Sequence, residues 1–497
     1  MVPYRSFVMI DRFSATPVYL QVAHQLINAI QRGYLMDGQK LPGSRQLGKL
    51  LELHRNTIVA SYAELEAQGW TETQPSRGTF VRNGKKEKPR KLDDRQPVLA
   101  SYPQQTGFAF KRWTLLDNPF DQARASFHFD DGLPDPRLSH ISYLSRLLHT
   151  HMKRKSNRGK LGYHNITGSE YYKENLANFL NLTRGLHIAK KNILVTRSQE
   201  LSIYLAAETL LSSGDCVIVG ELSYFATNMI FQKAGATVQT VPLDSEGVDV
   251  EAVRRCCERQ PVRMLYLTPH HHYPTTVTLS AQRRVELLEL SATYGFIILE
   301  DDYDYDFHYD TPPLLPMASA DTEGMVVYVG TFGKSMAPGF RSGFIVAPEP
   351  LIAEMDKLLG IMDRHGDALT ESALGEMIAE GEIHRYLKKS RQDYQERRNR
   401  LAQALASRLG HCVDFALPAG GLAIWTRWPK AVNLMALQHA CRKEDLYLPR
   451  YLLYQSREYC GIRLGFGSMT PEELADAVEI IGRATDSLSS MPFLPAQ

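Results

Sequence analysis

The chain has 497 residues, of which 43% are hydrophobic and 23% charged, and its 57 Lys+Arg against 55 Asp+Glu leave a formal net charge of +2. This composition is near the globular average, so it excludes wholesale disorder, a collagen-like fibre and a disulfide scaffold. The length suggests about three domains, or two if one of them is a large α/β unit. The total charge by itself predicts no partner.

Cysteine usage and hydropathy indicate the compartment. The six cysteines are scattered, with no CxxC pair and no zinc-ligand spacing, which fits a reducing cytosol. No run of about 18 apolar residues occurs, so no membrane span is expected. The first residues also lack the continuous apolar region of a signal peptide. We therefore predict a cytoplasmic protein.

The charge is unevenly distributed along the chain. Residues 1–91 contain 14 Lys+Arg and 7 Asp+Glu, a net charge of +7, whereas residues 92–497 contain 43 against 48, a net charge of −5. The boundary falls at the charge run from Lys85 to Lys91. We predict a linker over residues 83–119 between domains at 13–82 and 120–490. Its charge run is either a solvated tether or a phosphate contact.

The N-terminal domain is predicted to contain three helices. Apolar residues from Tyr19 to Ile30 recur at i, i+3, i+4 and i+7, the spacing of one buried helix face. Ser44 is predicted as the N-cap of a short second helix. A third helix begins at Asn56 or a neighbour, and Gly69 stops it. The second and third helices are joined tightly, which indicates a helix-turn-helix.

A β-hairpin is predicted to follow these helices. Two extended runs, at 70–74 and 79–81, flank a turn that contains Pro75 and Gly78. A hairpin behind a helix-turn-helix makes a winged helix-turn-helix. The alternative is a small helical domain for protein contacts.

Basic residues stand where a winged helix would meet double-stranded DNA. The first residues of a recognition helix reach deepest into the major groove, so Arg55, Asn56 and Thr57 are expected at base edges and phosphates. We expect Arg45 to contact a phosphate, and Arg77, at the tip of the wing, to enter the minor groove.

This segment resembles the DNA-binding domain of the GntR family of bacterial regulators over about residues 13–82. The matching motifs are Pro17 to Gln21, Leu41 to Arg45, Arg55 to Thr57 and Gly78 to Val81. The resemblance implies promoter or operator contacts from six residues: Arg45, Arg55, Asn56, Thr57, Arg77 and Gly78.

The C-terminal part is predicted to be an α/β domain. Short apolar runs alternate with helix-length segments, and such runs are typical of buried parallel strands. The runs are at 193–195, 216–219, 264–267, 296–299 and 325–329. Ligands of such sheets lie beyond the carboxyl ends of the strands. The residues that follow the strands are therefore the candidates for a site.

Two of these strands are followed by groups suited to pyridoxal phosphate (PLP). The cofactor needs an amine for a Schiff base, which Lys334 supplies, and a carboxylate at its pyridinium nitrogen, which Asp301 supplies. Tyr303 is placed to hydrogen-bond the phenolic oxygen, and Thr331 and Arg341 are candidates for the phosphate. A metal site is the alternative for the carboxylates, although the run lacks the central glycine of a hard-cation loop.

The region resembles the fold-type-I, aminotransferase-like PLP domain from about Phe127 to Arg483. Together with the winged helix, it is similar to the MocR subfamily of GntR regulators. The resemblance implies that Lys334 is the aldimine lysine and that Tyr224 stacks on the cofactor ring. It also implies that Tyr163 reaches the phosphate of a neighbouring subunit, hence a homodimer. Arg463 stands where aminotransferases bind the α-carboxylate of the substrate.

The sequence departs from this family pattern at three places, one of which is Ala226, where a member of the subfamily has a second ligand-binding arginine. In the turn that cradles phosphate, Ser198 replaces a glycine, Gln199 follows it, and Glu200 puts an acid near a dianion. Backbone amides of this turn remain available for phosphate. Thr276 replaces the glycine of a Pro-Thr-Gly motif. The preceding His270–His272 are interpreted as local packing, because adjacent extended residues face opposite ways.

Two functions from different classes follow. The first is a PLP-dependent DNA-binding regulator that senses PLP itself, or an amine or amino acid, through aldimine formation at Lys334. The second is an active aminotransferase that carries a DNA-binding domain. The winged helix has no role in transamination, which favours the regulator, and residual half-transamination is compatible with it because the chemistry belongs largely to the cofactor.

Overall fold

The computed structural model describes residues 16–82, 105–117, 125–161, 168–310, 312–336, 338–363 and 366–489, together with residues 4, 8, 10 and 11. The chain separates into two compact units, Met1–Arg112 and Trp113–Gln497. Most of the linker predicted at 83–119, including the Lys85–Lys91 charge run, lies outside the described residues, as does Tyr163. No helix in the described ranges is long and apolar enough to span a bilayer.

The first unit is a winged helix-turn-helix. Its elements are α1 (Val18–Gln31), α2 (Ser44–Leu51), α3 (Arg55–Ala67), β1 (Thr71–Gln74) and β2 (Gly78–Val81). The predicted apolar face of α1 is buried and packs with Leu47 of α2 and with Ile58 and Leu65 of α3. The two strands pair antiparallel, from Thr71 opposite Val81 to Gln74 opposite Gly78. The predicted helices and hairpin are present.

The junction of α2 and α3 requires a glycine. A Cβ on Gly48 would lie 2.9 Å from the carbonyl oxygen of Leu53, closer than such atoms approach. The prediction that Ser44 caps α2 is wrong by one residue: Gly43 is the N-cap, and no side chain bonds to the end of this helix. At the next helix, His54 caps α3 through its Nδ1, which accepts a hydrogen bond from the Asn56 amide.

The second unit contains two sheets and the helices packed on them. Its helices are α4 (Ile141–Lys153), α5 (Glu170–Arg184), α6 (Gln199–Leu210), α7 (Phe225–Lys233), α8 (Val250–Arg259), α9 (Ala281–Tyr294), α10 (Glu349–Met362), α11 (Ala368–Ala379), α12 (Glu382–Leu409), α13 (Leu434–Lys443) and α14 (Pro471–Ser489). Its strands are β3 (Phe127–His128), β4 (Ile193–Thr196), β5 (Cys216–Gly220), β6 (Thr237–Val241), β7 (Leu243–Asp244), β8 (Gly247–Val248), β9 (Met264–Leu267), β10 (Ile297–Asp302), β11 (Val326–Thr331), β12 (Gly343–Val346), β13 (Asp414–Phe415), β14 (Ala423–Arg427), β15 (Leu446–Tyr447), β16 (Leu453–Gln455) and β17 (Cys460–Gly465).

Within the described residues, the main sheet has seven strands in the order β4-β12-β11-β10-β9-β5-β6. Strands β11, β10, β9, β5 and β6 pair parallel, as the apolar runs predicted. β12 pairs antiparallel with both of its neighbours, so β4 meets only an antiparallel partner. β12 was not predicted from the sequence, and its antiparallel pairing makes the sheet mixed rather than purely parallel.

The core lies on both faces of this sheet. Val217 and Val219 of β5 pack on one side with α6 and α10, whereas Ile218 packs on the other side with α8 and α9. This two-residue alternation buries both sides of each strand, which explains why the strands are almost continuously apolar. The carboxyl ends of β10 and β11 are neighbours, because Asp302 is opposite Gly330.

Candidate functional site

The carboxylates at the end of β10 have different surroundings. Glu300 accepts hydrogen bonds from the amides of Met317 and Ala318 at 2.8 and 2.9 Å. The other paired acids and their partners are Asp302 with the Tyr328 hydroxyl, Asp304 with His271 Nδ1 at 2.7 Å, and Asp306 with Arg184 at 2.7 Å. Asp301 is the carboxylate of this group that lines a cavity.

This cavity has a volume of about 530 Å³ and lies at the carboxyl edge of the sheet. It brings together five of the residues predicted for the cofactor site: Gln199, Tyr224, Asp301, Tyr303 and Lys334. They come from α6, the start of α7, the end of β10 and the loop after β11. The edge of the sheet thus gathers side chains that are far apart in the sequence, as the strand-end argument predicts.

Asp301 is held by two donors in the protein interior. The Tyr266 hydroxyl donates to Asp301 Oδ2 at 2.6 Å, and the Gln199 amide donates to Oδ1. Burial nevertheless raises the pKa of Asp301 to about 7, because the two hydrogen bonds only partly offset the loss of solvation. Tyr266 was not predicted as a site residue, although a lone hydroxyl within the apolar strand β9 was the signal for it.

Lys334 faces the ring of Tyr303. Its Nζ lies 4.7 Å from the ring centroid, while the Tyr303 hydroxyl donates to the carbonyl oxygen of His271 at 2.7 Å. The neighbouring Ser335 hydroxyl donates to Asp306, which Arg184 also holds. The Ser335 bond anchors the residue that follows Lys334, so the lysine projects from a loop that is held at this point.

Two of the residues predicted for the phosphate are engaged in local bonds. Ser198 is the N-cap of α6, and its Oγ accepts from the Leu201 amide at 3.2 Å. Thr331 Oγ1 donates to the Ser342 carbonyl at 2.8 Å and accepts from the Gly333 amide at 2.9 Å. Neither side chain lines the cavity. Ser198 has extended backbone angles (φ −170°, ψ 163°), so this position does not require the family's glycine.

The structure does not bring Arg341 to Lys334 and Asp301. Arg341 follows the 3₁₀ turn Pro338–Phe340 with φ of +43° and lines a different cavity of about 210 Å³, together with Arg197. A phosphate contact from Arg341 therefore stays a prediction.

Arg463 lies behind the cavity wall. The side chain is 1% exposed, and it donates to the carbonyl oxygens of Asp131 and Pro274 at 3.1 and 2.9 Å. Its guanidinium also lies 3.4 Å from the Tyr303 hydroxyl and 4.7 Å from the centroid of the Tyr273 ring. Arg463 is thus next to the candidate site without lining it.

The three consecutive histidines have separate partners. His270 Nε2 is 2.7 Å from the Leu314 carbonyl, His271 pairs with Asp304, and His272 Nδ1 is 2.9 Å from Thr275 Oγ1. Burial lowers the pKa of His272 to about 3, so this side chain is neutral.

Replacing Thr276 by glycine should stabilise the second unit. Thr276, which stands where the family has glycine, has φ of +61°, a conformation that is unfavourable for a β-branched residue. We expect Thr276→Gly to raise the free energy of unfolding by about 1 kcal/mol. Urea unfolding measures the change. Thr276→Ala keeps the Cβ and should gain less; an equal gain in both variants would show that backbone strain is not the cause.

The DNA-facing residues of the first unit are exposed. Arg45, Arg55, Asn56 and Arg77 are exposed, and Thr57 is half-buried. Among the residues that the structure describes, none of the three arginines forms an ion pair with an acid, so each remains available to a phosphate or a base. Arg77 and Gly78 line a groove of about 880 Å³ between the wing and helices α2 and α3.

Gly78 is needed where the wing turns. Its φ is +115°, and a Cβ there would lie 2.9 Å from Lys40 Cε. The backbone of Lys40 forms an isolated antiparallel β-bridge with Phe80 of β2, and Lys40 lines the same groove. The groove therefore has a second cation beside Arg77, which was not predicted from the sequence.

Arg55→Ala should relax the preference for one DNA sequence. Arg55 is the first residue of α3 and is exposed, and a base contact from such an arginine contributes about 1–3 kcal/mol of discrimination. Binding assays with specific and scrambled DNA at one salt concentration measure the ratio of the two affinities. Exposed Arg32, at the end of α1, supplies the control Arg32→Ala. An unchanged ratio in Arg55→Ala would remove Arg55 from base recognition.

Comparison with known proteins matches each of the two units to a protein family. Residues 18–81 match the bacterial regulatory proteins of the gntR family, and residues 138–481 match aminotransferase class I and II. The fold and the site thus define a winged-helix module in one chain with an aminotransferase-type domain. The chain belongs to the aminotransferase class I and II family, and its gntR-family domain makes it a regulator of the MocR type.

Full-length relatives share this arrangement. The chain is 26% identical over 495 residues to a probable rhizopine catabolism regulatory protein, MocR, of Rhizobium meliloti, covering 98% of each chain. It is 25% identical to the HTH-type transcriptional regulator TauR of Rhodobacter capsulatus, covering 93% of this chain and 96% of the relative. The crystal structure of an archaeal alanine:glyoxylate aminotransferase matches with a TM-score of 0.68 at 24% identity, over 73% of this chain and 91% of that one. This structural similarity shows the fold of the second unit.

Proposed function

We propose that the protein is a PLP-dependent, DNA-binding transcriptional regulator whose aminotransferase-like domain senses PLP or an amine or amino-acid effector through Lys334. The observation that carries the proposal is that one chain combines a winged helix with exposed arginines and a cavity in which Lys334, Asp301 and Tyr303 meet. Full-length similarity to two proteins named as regulators supports the DNA-binding role.

The residues around the cavity fit the ring of PLP. Asp301 is a buried acid suited to a pyridinium nitrogen, the Tyr303 ring lies beside the Lys334 amine, and Tyr224 offers an aromatic face. When bound, the cofactor supplies an aldehyde that condenses reversibly with primary amines. At the phosphate end, the N-terminus of α6 offers backbone amides, and Ser198 adopts its position without strain. The carboxylate of Glu200 is unfavourable at this end, because it would repel the negatively charged phosphate.

The chain's own residues prepare the site for an amine. Burial and the Tyr266 and Gln199 donors hold Asp301 in one orientation, and the anchored loop holds the Lys334 amine at the Tyr303 ring. Effector binding would then bias the arrangement of the two units and change the affinity for promoter DNA. We further propose a homodimer, in which two winged domains bind the two halves of an operator.

An active aminotransferase that carries a DNA-binding domain is the second candidate. The retained lysine and buried aspartate favour it, because these two groups are also what transamination needs.

One experiment separates the two candidates. Full-length protein is incubated with PLP and a panel of amines and amino acids while visible absorbance, products and binding to promoter DNA are followed. The regulator should change its absorbance and its DNA affinity with at most one equivalent of product per subunit. Product that accumulates over many turnovers, with unchanged DNA affinity, would establish the enzyme instead.

A further inference from the structure

One segment of the second unit is strongly basic. Residues 136–169 contain seven Lys+Arg and neither Asp nor Glu, although residues 92–497 as a whole have a net charge of −5. Six of the seven cations fall within residues 146–160, on helix α4 and on the 3₁₀ helix Lys155–Leu161 that follows it. A run of like charges is either a solvated surface or a contact for a partner of opposite charge.

Three of these cations are exposed and have no acidic partner. Lys153, Lys155 and Arg158 are exposed, and in the part of the chain that the structure describes none of these side chains forms a hydrogen bond or an ion pair. The neighbouring Arg154, by contrast, lies 3.5 Å from Glu376. We call Lys153, Lys155 and Arg158 the basic patch. Its charge is available to a partner outside the unit.

The basic patch stands on a fixed backbone. Buried Asn157 donates from Nδ2 to the main-chain carbonyl of His151 at 3.0 Å, and the same nitrogen lies 3.1 Å from His151 Nδ1. His151 Nε2 lies 2.7 Å from Glu376 of α11. These contacts tie the 3₁₀ helix to α4 and α11. Little ordering of the backbone is therefore needed when a partner binds, which lowers the cost of binding.

Helix stability accounts for only part of this charge. A cation in the last turn of a helix interacts favourably with the helix dipole, and Lys153 is in the last turn of α4. Lys155 and Arg158 lie beyond the end of this helix, where the effect of the dipole has fallen off. Unpaired like charges repel one another and lower the stability of a fold. An anionic partner would offset this cost.

The spacing of the basic patch suits a phosphate backbone. Lys155 and Arg158 are three residues apart in a 3₁₀ helix, so they project from the same side and about 6 Å apart along its axis. One strand of duplex DNA carries a phosphate for about every 3.4 Å of its axis. Neighbouring phosphates of one strand are therefore within reach of the two side chains.

DNA is also the anionic partner that the rest of the chain favours. Protein–DNA interfaces are rich in positive charge, whereas lysine is depleted from protein–protein interfaces. The gntR-family domain at residues 18–81 is a DNA-binding module in the same chain. When this module is bound, the linker holds the second unit at a high effective concentration near DNA, so a few weak phosphate contacts add to the total affinity.

We propose that Lys153, Lys155 and Arg158 form a second DNA-contact surface, on the aminotransferase-like unit, that binds backbone phosphates irrespective of base sequence. This role goes beyond the proposed function, in which the larger unit only senses the effector. It depends on DNA binding by the winged helix and is independent of the cofactor.

The salt dependence of DNA binding tests the proposal. Full-length wild type and the triple variant Lys153→Gln, Lys155→Gln, Arg158→Gln are titrated with a scrambled duplex of about 60 base pairs between about 50 and 200 mM salt. Each lost phosphate contact lowers the slope of log affinity against log salt by about 1, so the variant should lose about 2 to 3 of this slope and at least about tenfold in affinity at the lowest salt.

A second triple variant controls for net charge. Arg259→Gln, Lys430→Gln, Lys443→Gln removes three exposed cations from other parts of the same unit and should keep the wild-type slope. The ratio of affinities for promoter and scrambled DNA should be the same in wild type and both variants, because phosphate contacts carry no sequence information.

Acetylation of lysines in the wild-type protein locates the contact directly. With the duplex present, Lys153 and Lys155 should be protected in proportion to the fraction of protein bound, whereas Lys430 and Lys443 should react equally with and without DNA. Mass spectrometry of the digested protein measures both. This measurement needs no variant.

Three results would overturn the proposal. The first is an equal salt slope for wild type and the basic-patch variant, and the second is equal acetylation of Lys153 and Lys155 with and without DNA. The third is weaker binding of that variant to phosphatidylserine vesicles with unchanged DNA binding, which would assign the basic patch to a lipid surface. In all three cases the proposed function stands. A wild-type protein that binds no DNA at any salt concentration would overturn both.

Discussion

Lys334→Ala is expected to abolish covalent retention of PLP and with it the response of DNA binding to an amine. In the structure Lys334 is the lysine that lines the cavity, and its Nζ lies 4.7 Å from the centroid of the Tyr303 ring. The alanine variant keeps Asp301 and the tyrosines, so any remaining PLP is held by noncovalent contacts. We expect retention after dialysis to fall by at least about 100-fold.

Visible absorbance before and after dialysis, and a DNA-binding titration with and without the amine, measure the two losses. DNA affinity without effector should be unchanged, because Arg45 and Arg55 are in the other unit. Lys357→Ala, on the exposed surface of α10, is the matched control. A Lys334→Ala protein that keeps both the absorbance band and the full response would exclude the proposed role of this lysine.

Asp301→Asn should produce the second large effect, in two separable measurements. Asp301 would hold the pyridinium nitrogen of PLP through a charge-assisted hydrogen bond, so its replacement by asparagine should lower PLP affinity by about 10- to 100-fold. In protein without PLP the same change should be stabilising at neutral pH, because it removes a carboxylate that is buried with a pKa of about 7.

The sign of this stability effect follows from linkage. The pKa of Asp301 is about 3.8 in the unfolded chain and about 7 in the folded chain, so the folded state holds the proton more tightly. The wild-type protein thus loses stability relative to Asp301→Asn as pH rises from about 4 to about 7, and the difference is constant above that range. The full difference in unfolding free energy between the two proteins is about 4 kcal/mol, because each unit between the two pKa values contributes about 1.4 kcal/mol.

Urea unfolding of the PLP-free protein across this pH range measures the difference, followed through the transition of the larger unit. Tyr266→Phe removes a donor that lowers the pKa of Asp301, so it should move the pH-dependent loss to higher pH. Asp476→Asn, on the exposed side of α14, should leave the profile unchanged. A pH-independent difference between wild type and Asp301→Asn would contradict a buried, titrating carboxyl group.

The winged helix was predictable because its signals are local. The apolar spacing of α1, the short α2 and the turn between β1 and β2 each depend on residues within one helix or one hairpin. The N-cap predicted at Ser44 differs from the observed N-cap by one residue. Gly43 and Ser44 are adjacent at this helix end, and Gly43 is the cap.

The site was predictable only where it depends on strand ends. Parallel β10 and β11 place Asp301 and Lys334 at the same edge, which the apolar runs and the residues after them already indicate. The antiparallel β12 gave no distinct signal, because its four residues, Gly343–Val346, are as apolar as those of a parallel strand. Arg341, just before β12, was expected at the phosphate from its position seven residues after Lys334 and from the family resemblance, and it lines a different cavity.

The sequence by itself determined the two-part organisation, the strand-end location of the site and the residue types that suit PLP. Only the tertiary structure decided how the other acids of the Glu300–Asp306 run are paired, because their partners come from distant segments such as α5 and the loop after β9. It also decided that Arg463 donates to the main-chain carbonyl oxygens of Asp131 and Pro274. Hydrogen-bond partners far apart in sequence determine a group's charge and availability, and no local pattern records them.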